Sequence, residues 1–213
     1  DFLNRLIFDE IFSNFLINSN IRQKIKKIKK QNKVFDNKAF KTIKEKINFK
    51  LTVDQLKSIE QINSDLCSNR KMFRLLQGDV GSGKTIVALI TSLNVIYSHF
   101  QVCFMAPTEI LAKQHYNLTK KLFPENIEVE LLTSKTDYSN RKKIIKNLQT
   151  NETKMLIGTH SLFQEKIKYN SLGLVIIDEQ HKFGVKQRKK LSDKGGKNCD
   201  VLVMSATPIP RTM

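Results

Sequence analysis

Short apolar runs alternate with helical patterns along most of this chain, and the alternation predicts its fold class. Six runs have the length of strands, at residues 72–77, 102–106, 127–132, 155–158, 172–177 and 201–204. Runs that are apolar on both sides of the pleat are typical of a parallel sheet with helices on both faces. Right-handed crossovers then give a doubly wound α/β domain, in which ligands bind at the carboxyl ends of the strands.

Residues 1–50 follow a different pattern, in which apolar side chains recur mostly every three or four positions. This spacing predicts an amphipathic helical arm over residues 1–30 and a second, shorter helix near residues 40–47. We expect the apolar side of the arm to pack on another surface, while its lysines, Lys30 among them, stay solvated. We assign residues 1–50 to this basic arm and residues 51–213 to the α/β domain.

The chain is strongly basic, with 37 Lys and Arg against 20 Asp and Glu and a formal net charge of +17. A field of this sign attracts polyanions such as nucleic acids. A general compositional bias toward lysine would produce much of the same excess. The charge alone therefore leaves both DNA contact and a merely solvated surface open.

Composition also excludes several classes of protein. The sequence has no window of 18 apolar residues, which excludes a membrane span. The chain starts at Asp1 without a signal-peptide pattern, so we expect a fragment or processed product that acts in the cytoplasm, at the nucleoid. Its 3 cysteines form no CxxC pair, which argues against a disulfide framework or a zinc site, and Cys103 is expected in the core.

The sequence between the first apolar run and the helix after it matches GxxxxGKT, a phosphate-binding loop. This phosphate loop consists of Gly78, Asp79, Val80, Gly81, Ser82, Gly83, Lys84 and Thr85. Its glycines let successive N–H groups face one concavity, and the helix that follows adds the positive end of its dipole. The motif predicts that Lys84 binds the β- and γ-phosphates of ATP and that the Thr85 hydroxyl binds Mg²⁺.

A pair of acids, Asp178 and Glu179, follows the apolar run at 172–177. Asp178 would hold Mg²⁺ directly or through water, because this ion prefers oxygen ligands beside substrate phosphates. Glu179 would polarise the attacking water as the general base. Two acids after a strand also suit the N-terminus of a helix, but the phosphate loop favours the catalytic interpretation.

The tetrad Asp178-Glu179-Gln180-His181 resembles the acidic box of superfamily 2 helicases, and residues 178–188 resemble the RecG family of DNA branch-migration helicases. Four further segments resemble that family in the same order, at 75–85, 105–115, 157–165 and 205–212. The resemblance implies a RecA-like P-loop motor domain that binds ATP and Mg²⁺ and acts on branched DNA. It also implies that the arm joins this motor to a wedge domain.

The resemblance assigns roles to residues outside the phosphate loop and the acid pair. Gln55 is similar to the family's adenine-reading glutamine, although Thr52 and Gln55 also match a capping box at a helix start. Ser205 and Thr207 resemble the motif that couples hydrolysis to the DNA cleft, or else they are ordinary turn residues before a proline. No role follows for Arg211.

Six residues resemble segments that hold the DNA backbone without reading its sequence: Pro107, Thr108, Glu109, Gly158, Thr159 and His160. His160 would equally suit a satisfied core position or a helix cap. Gln180 and His181 would face the surface between two motor domains. The basic run at 182–190 would either line the DNA path or remain solvated.

Together these features predict the ATP-binding motor domain of a RecG-like DNA helicase, which couples ATP hydrolysis to remodelling of replication forks and recombination junctions. Its partners would be DNA and the second motor and wedge domains of the same parent chain, in a monomer, and this piece alone would hydrolyse ATP slowly. A transcription-repair coupling translocase is the nearest alternative, although that family usually has Glu at the position of Gln180. A non-catalytic DNA-binding module is the alternative from another class.

Overall fold

The computed structural model describes residues 28–36, 38–164, 166–179 and 194–206, without the side chain of Phe163. Its helices in these ranges are α1 (Lys38–Lys46), α2 (Val53–Cys67), α3 (Lys84–Tyr97), α4 (Glu109–Leu122) and α5 (Tyr138–Gln149). Its strands are β1 (Phe73–Gln77), β2 (Gln101–Met105), β3 (Glu128–Leu132), β4 (Thr153–Gly158), β5 (Leu172–Ile177) and β6 (Asp200–Ser205). Short 3₁₀ turns lie at His160–Phe163 and Gly196–Asn198. Most of the predicted arm lies outside the described residues.

All of these strands run parallel in one sheet, in the order β1-β6-β5-β2-β4-β3. Each predicted apolar run corresponds to one strand, and the ends differ by no more than 2 residues. Helices α3, α4 and α5 connect successive strands from β1 to β4, as parallel pairing requires. The predicted doubly wound α/β fold is confirmed. None of the helices in the described ranges is long and apolar enough to cross a membrane.

Two apolar clusters cover the two faces of the sheet. Val102 and Phe104 of β2 belong to the cluster that contains α3 and α4, whereas the alternating residues Cys103 and Met105 belong to the cluster that contains Ile144 of α5. Every residue of β2, β5 and β6 is buried as a result. Burial of each large aliphatic side chain contributes about 1.5–3 kcal/mol. Burial also raises the pKa of the Cys103 thiol to about 12, and Cys103 is a core residue as expected.

The sequence predicts strands that are buried on both faces of the sheet, and β1 differs from this prediction. Phe73 and Leu75 are 45% and 36% exposed, and the strand alternates between exposed and half-buried positions. β1 is the outermost strand at its end of the described sheet and pairs there with β6. The order of strands, which local composition does not encode, determines which strand has this position.

Residues 28–36, which we call the linker segment, and helix α1 both pack against the α/β domain. Ala39 and Ile43 of α1 are fully buried in the same cluster as α3 and α4. Lys46 donates a hydrogen bond from Nζ to the Phe123 carbonyl at the end of α4, at 2.8 Å. Helix α1 therefore shares the hydrophobic core of the domain, and the division of the chain at residue 50 stays a prediction.

The expectation that the lysines of the arm stay solvated is wrong at Lys30, which is 7% exposed, and its neighbour Lys33 is 1% exposed. Both Nζ atoms lie 2.6 Å from Oδ2 of Asp200, at the start of β6. Asp200 Oδ1 accepts a further bond from the Met72 N–H, at 2.6 Å. Local pattern did not reveal this cluster, because Asp200 lies 170 positions from Lys30 along the chain.

Candidate active site

The carboxyl ends of β1, β6 and β5 bring the predicted chemistry to one edge of the sheet. The Gly78 N–H donates to the carbonyl of Ser205, the last residue of β6, at 3.3 Å. On the other side of β6, Val203 pairs with Ile177, the residue before Asp178. The phosphate loop and the acid pair therefore flank the end of β6, with Ser205 between them.

Two glycines with left-handed backbone conformation curl the phosphate loop. Gly81 has a φ of 80° and Gly83 a φ of 82°, a region that side-chain-bearing residues rarely adopt. The Ser82 N–H donates to the Asp79 carbonyl at 3.1 Å and closes the turn. Helix α3 starts at Lys84 without a side-chain cap and without an acid in its first turn. Its N–H groups and the positive end of its dipole therefore suit an anion.

Lys84 folds back onto the phosphate loop. Its Nζ donates to the carbonyls of Gly78, at 2.7 Å, and Asp79, at 2.8 Å. A phosphate would compete favourably for this ammonium, because a hydrogen bond between two oppositely charged groups is stronger than one from an ammonium to a neutral carbonyl. Thr85, the next residue, is half-buried at the start of α3, and Val80 is 88% exposed in the loop.

Gln55 connects helix α2 to the phosphate loop. Its Oε1 accepts from the Thr52 N–H at 2.9 Å and its own N–H donates to Thr52 Oγ1 at 3.2 Å, so the capping box is confirmed. Its Nε2 also donates to the Ser82 carbonyl at 2.8 Å. These contacts use one of two Oε1 lone pairs and one of two Nε2 hydrogens. The amide thus retains capacity for a base, and adenine contact by Gln55 stays a prediction.

Asp178 is buried where β5 ends beside β2. It is 8% exposed, and its N–H donates to the Met105 carbonyl at 2.8 Å, which extends the β5–β2 pairing by one residue. Its Oδ2 lies 2.9 Å from Nε2 of His115, which is itself 7% exposed. The imidazole packs against Phe104, with 4.6 Å between the ring centroids.

His115 is a residue of this site that the sequence analysis missed. The available signal is its place on the buried stripe of α4, together with Ala112, Thr119 and Leu122. A histidine on an apolar helix face needs a polar partner, but spacing does not identify one. The partner, Asp178, is 63 positions away in sequence.

Glu179 has a φ of 53°, the left-handed conformation that residues other than glycine seldom adopt. Such a backbone costs about 1–3 kcal/mol, and strained positions of this kind cluster at functional sites. The chain turns sharply after Asp178 as a result, and Glu179 is half-buried while Asp178 is buried. The two acids therefore have different surroundings, as separate roles require.

The remaining predicted residues of the acidic box and the coupling motif, Gln180, His181 and Thr207, lie outside the described residues, as do Arg211 and the basic run at 182–190. Of the coupling pair, the structure describes Ser205, which is buried.

The six residues predicted to hold DNA lie at the carboxyl ends of β2 and β4, which are neighbouring strands. The Ala106 N–H donates to the Gly158 carbonyl at 2.9 Å and joins the two segments. Pro107 is half-buried, and Thr108 caps α4 by accepting from the Leu111 N–H at 3.3 Å. The structure thus brings the predicted DNA residues together.

Glu109 connects the start of α4 to the loop between β3 and α5. Its Oε1 accepts from the N–H and the hydroxyl of Ser134, and its Oε2 lies 3.6 Å from Lys135 Nζ. The hydrogen bond from the Ser134 hydroxyl lowers the pKa of the Glu109 carboxyl. An ionised carboxylate only accepts hydrogen bonds, so Glu109 is suited to orient Ser134 and Lys135 rather than to bind a phosphate itself.

Gly158 ends β4 at a point where only glycine fits. A Cβ there would lie 2.2 Å from the Leu132 carbonyl oxygen of β3. Thr159 is buried, and Ser161 donates from its hydroxyl to the same Leu132 carbonyl at 2.9 Å, which fixes the turn that follows. His160 is exposed, which contradicts the alternative that it is a buried core histidine.

A family model described as DEAD/DEAH box helicase matches residues 52–213 of the chain. The chain is 48% identical over 211 residues to ATP-dependent DNA helicase RecG of Aquifex aeolicus, and 46% identical over 210 residues to ATP-dependent DNA helicase RecG of Thermotoga maritima. Each alignment covers 98% of this chain and 27% of the relative. The chain therefore spans about a quarter of the length of these curated relatives.

Two solved structures have the same fold. A structure of RecG bound to a three-way DNA junction matches with a TM-score of 0.84 and 44% identity, over 99% of this chain and 28% of that chain. DEAD-box helicase Mss116 bound to ssRNA and UDP-BeF matches with a TM-score of 0.65 and 21% identity, over 82% of this chain and 39% of that chain, and shares the fold alone. The predicted resemblance to the RecG family is confirmed.

Proposed function

The chain belongs to the DEAD/DEAH box helicase family, and from that premise we propose that it is the ATP-binding motor domain of a RecG-like, ATP-dependent DNA helicase. In the whole protein this domain would couple ATP hydrolysis to remodelling of branched DNA, such as replication forks and recombination junctions. The observation that carries the proposal is that the phosphate loop, Ser205 and the acid pair meet at one edge of the sheet.

The residues at this edge fit ATP with Mg²⁺. The curled loop and the uncapped start of α3 present N–H groups to phosphates, and Lys84 adds a positive charge beside them. The Thr85 hydroxyl and the Asp178 carboxylate are oxygen ligands of the kind that Mg²⁺ prefers. Gln55, bonded to the loop, would contact the adenine with its remaining donor and acceptor.

Glu179 is the general base in this proposal. It would accept a proton from the attacking water, while Lys84 stabilises the charge that develops on the phosphate oxygens. When bound, Mg²⁺ would neutralise part of the same charge. Gln180 and His181 would face the second motor domain of the parent chain, which would supply the arginine finger that such reactions use.

DNA would bind along the carboxyl ends of β2 and β4, where Pro107, Thr108, Gly158, Thr159 and His160 position the backbone, with Glu109 in a supporting role. Ser205, with Thr207, would couple this cleft to hydrolysis. Its carbonyl accepts from the Gly78 N–H at the start of the phosphate loop, and its strand adjoins β5, which ends directly before Asp178. We place the parent protein in the cytoplasm at the nucleoid, as a monomer that also contains a wedge domain.

The ATPase activity of the intact parent protein on branched and linear DNA tests this function. We expect faster turnover with branched DNA, and we expect Glu179→Gln to lower kcat by about 10²–10⁴-fold, the typical contribution of general base catalysis. The Kd for ATP should stay close to that of the parent, because the amide retains the size of the carboxylate. Glu125→Gln, an exposed site in the loop before β3, is the matched control and should retain full activity.

An unchanged slow rate in Glu179→Gln would instead favour a non-catalytic DNA-binding module. Displacement of stalled RNA polymerase by the parent, without unwinding of forks, would favour the transcription-repair coupling translocase. ATPase activity and displacement of RNA polymerase can be measured on the same preparations. The RecG-like helicase, the translocase and the non-catalytic module therefore give three different results.

A further inference from the structure

Helix α4 contributes a buried histidine, His115, to the edge of the sheet where the phosphate loop and the acid pair meet. None of the predicted roles explains this histidine. We propose that His115 is a positioning residue, which holds the Asp178 carboxylate in the orientation that binds Mg²⁺. The inference rests on the proposed function, because it concerns the metal ligand of that same site. It adds a residue from α4 to a site otherwise built from the ends of β1, β5 and β6 together with residues of α2 and α3.

The geometry of the pair is that of a buried, directed hydrogen bond. Nε2 of His115 lies 2.9 Å from Oδ2 of Asp178, and the two residues are 7% and 8% exposed. Within the described ranges, His115 is the side chain that hydrogen-bonds this carboxylate. In such a buried setting a hydrogen bond to a charged group is stronger than in water, so it restrains the group effectively.

The chemistry fixes the direction of the bond. A carboxylate that binds Mg²⁺ is ionised and only accepts hydrogen bonds, so Nε2 of His115 must carry the hydrogen. Donation to Oδ2 restrains rotation of the Asp178 carboxylate about its Cβ–Cγ bond. Asp178 Oδ1 would then be available to hold the metal or a water molecule bound to it.

Strand β2 holds both partners of this bond. The Phe104 ring packs against the imidazole of His115, with 4.6 Å between ring centroids, and the next residue, Met105, accepts from the Asp178 N–H at 2.8 Å. Phe104 and Met105 are both fully buried. The imidazole and the carboxylate are thus supported by consecutive residues of one rigid strand, as a precise orientation of a metal ligand requires.

Two substitutions of His115 by side chains of similar length distinguish a positioning role from a packing role. His115→Gln retains an N–H donor at a similar reach, whereas His115→Met fills a similar volume and has no donor. Removal of an outer-shell partner typically lowers metal affinity or activity by about 10–100-fold. In the intact parent protein we therefore expect His115→Met to raise the Kd for Mg²⁺, measured by calorimetry with a non-hydrolysed ATP analogue, by about 10–100-fold, and with it the Mg²⁺ concentration for half-maximal ATPase. His115→Gln should retain values near those of the parent.

The control is Thr119→Val on the same buried stripe of α4, where the Thr119 hydroxyl donates to the His115 carbonyl at 2.7 Å without contacting Asp178. It reports on the loss of a polar contact within the helix, and its Mg²⁺ requirement should not change. Thermal unfolding of each variant identifies any that are misfolded, and the comparison between folded Gln and Met variants decides the result.

Equal Mg²⁺ requirements and equal kcat for the folded Gln and Met variants would overturn the role of His115, whether both match the parent or both lose activity. If His115→Met does not fold, the folded His115→Gln variant decides the result. Loss of activity or a raised Mg²⁺ requirement in His115→Gln overturns the role, and values near those of the parent support it. Failure of the proposed function appears elsewhere, as an absence of DNA-stimulated ATPase in the unmodified parent. The two failures are therefore distinguishable in one set of assays.

Discussion

Gly81 and Gly83 share a left-handed backbone but have different neighbours. An added Cβ at Gly83 would lie 2.3 Å from Gln55 Nε2, whereas one at Gly81 would have nothing within 4 Å. We expect Gly81→Ala to lower the free energy of unfolding by about 1–2 kcal/mol through backbone strain alone. Gly83→Ala should lower it further, because Gln55 must also leave its bond to Ser82. Urea unfolding of the two variants measures the difference.

The Gln55→Ala background supplies the control for that comparison. Loss of the capping box in Gln55→Ala should itself destabilise the chain by about 1 kcal/mol. This loss cancels when each glycine variant in the Gln55→Ala background is compared with Gln55→Ala alone. Without the Gln55 amide, Gly83→Ala should cost no more than Gly81→Ala. If the extra loss persists in this background, the contact between Gln55 and the loop is not its cause.

The attachment of the linker segment to β6 depends on one carboxylate. Asp200 faces the ammonium groups of both Lys30 and Lys33 at 2.6 Å, and all three side chains are fully buried. Asp200→Asn leaves two buried cations without their counter-ion, and breaking a buried ion pair in this way costs about 3–5 kcal/mol. Lys30→Met leaves the balanced Lys33–Asp200 pair and should cost much less. Urea unfolding tests this order, and equal losses would show that packing, rather than charge, dominates here.

The pH dependence of stability provides an independent test of Lys30. Burial lowers the pKa of Lys30 below its value in the unfolded chain, although Asp200 acts in the opposite direction. Between these two pKa values the unfolded state binds more protons, so the contribution of Lys30 makes the chain more stable as the pH rises through that window. Lys30→Met should remove this rise, which is measured by urea unfolding over the alkaline range. The exposed neighbour Lys29, as Lys29→Met, should leave the rise in place.

Sequence reasoning succeeded for elements that local pattern determines. The run at 172–177 coincides with β5 because both faces of that strand are covered, and the phosphate loop was found because its residues are consecutive. Contacts between distant segments were not found. The His115–Asp178 and Lys30–Asp200 pairs join positions 63 and 170 residues apart, and a period or a spacing predicts a face without identifying its partner.

Parallel pairing explains how the whole molecule combines the two proposed activities. Since all the strands run in the same direction, every loop that follows a strand emerges at the same edge of the sheet. The nucleotide residues follow β1 and β5, and the DNA residues follow β2 and β4, which lie directly beyond β5. Helix α4 begins at the DNA residues and carries His115 to Asp178, so it connects the two regions physically.

The net charge of +17 could favour DNA binding either through direct contacts between lysines and phosphates or through the electric field of the whole molecule. The salt dependence of DNA affinity distinguishes these two cases. The Lys135 side chain is 86% exposed and lies beside Glu109, at the edge of the sheet where the strands have their carboxyl ends. Lys146 is exposed in the last turn of α5, at the opposite edge of the sheet. Each phosphate neutralised adds about 0.7–0.9 to the slope of log affinity against log salt. We expect Lys135→Gln to reduce that slope by about this amount for branched DNA and the intact parent.

Lys146→Gln removes the same charge and should leave the slope unchanged, because a lysine far from the DNA releases no counter-ion from it. The measurement is the Kd for a branched DNA at several salt concentrations, with all proteins compared in the same buffers. Equal reductions in the two variants would mean that the charge acts as a field of the whole molecule without a contact at Lys135. A parent affinity that does not respond to salt would show that the lysine content reflects composition and not DNA binding.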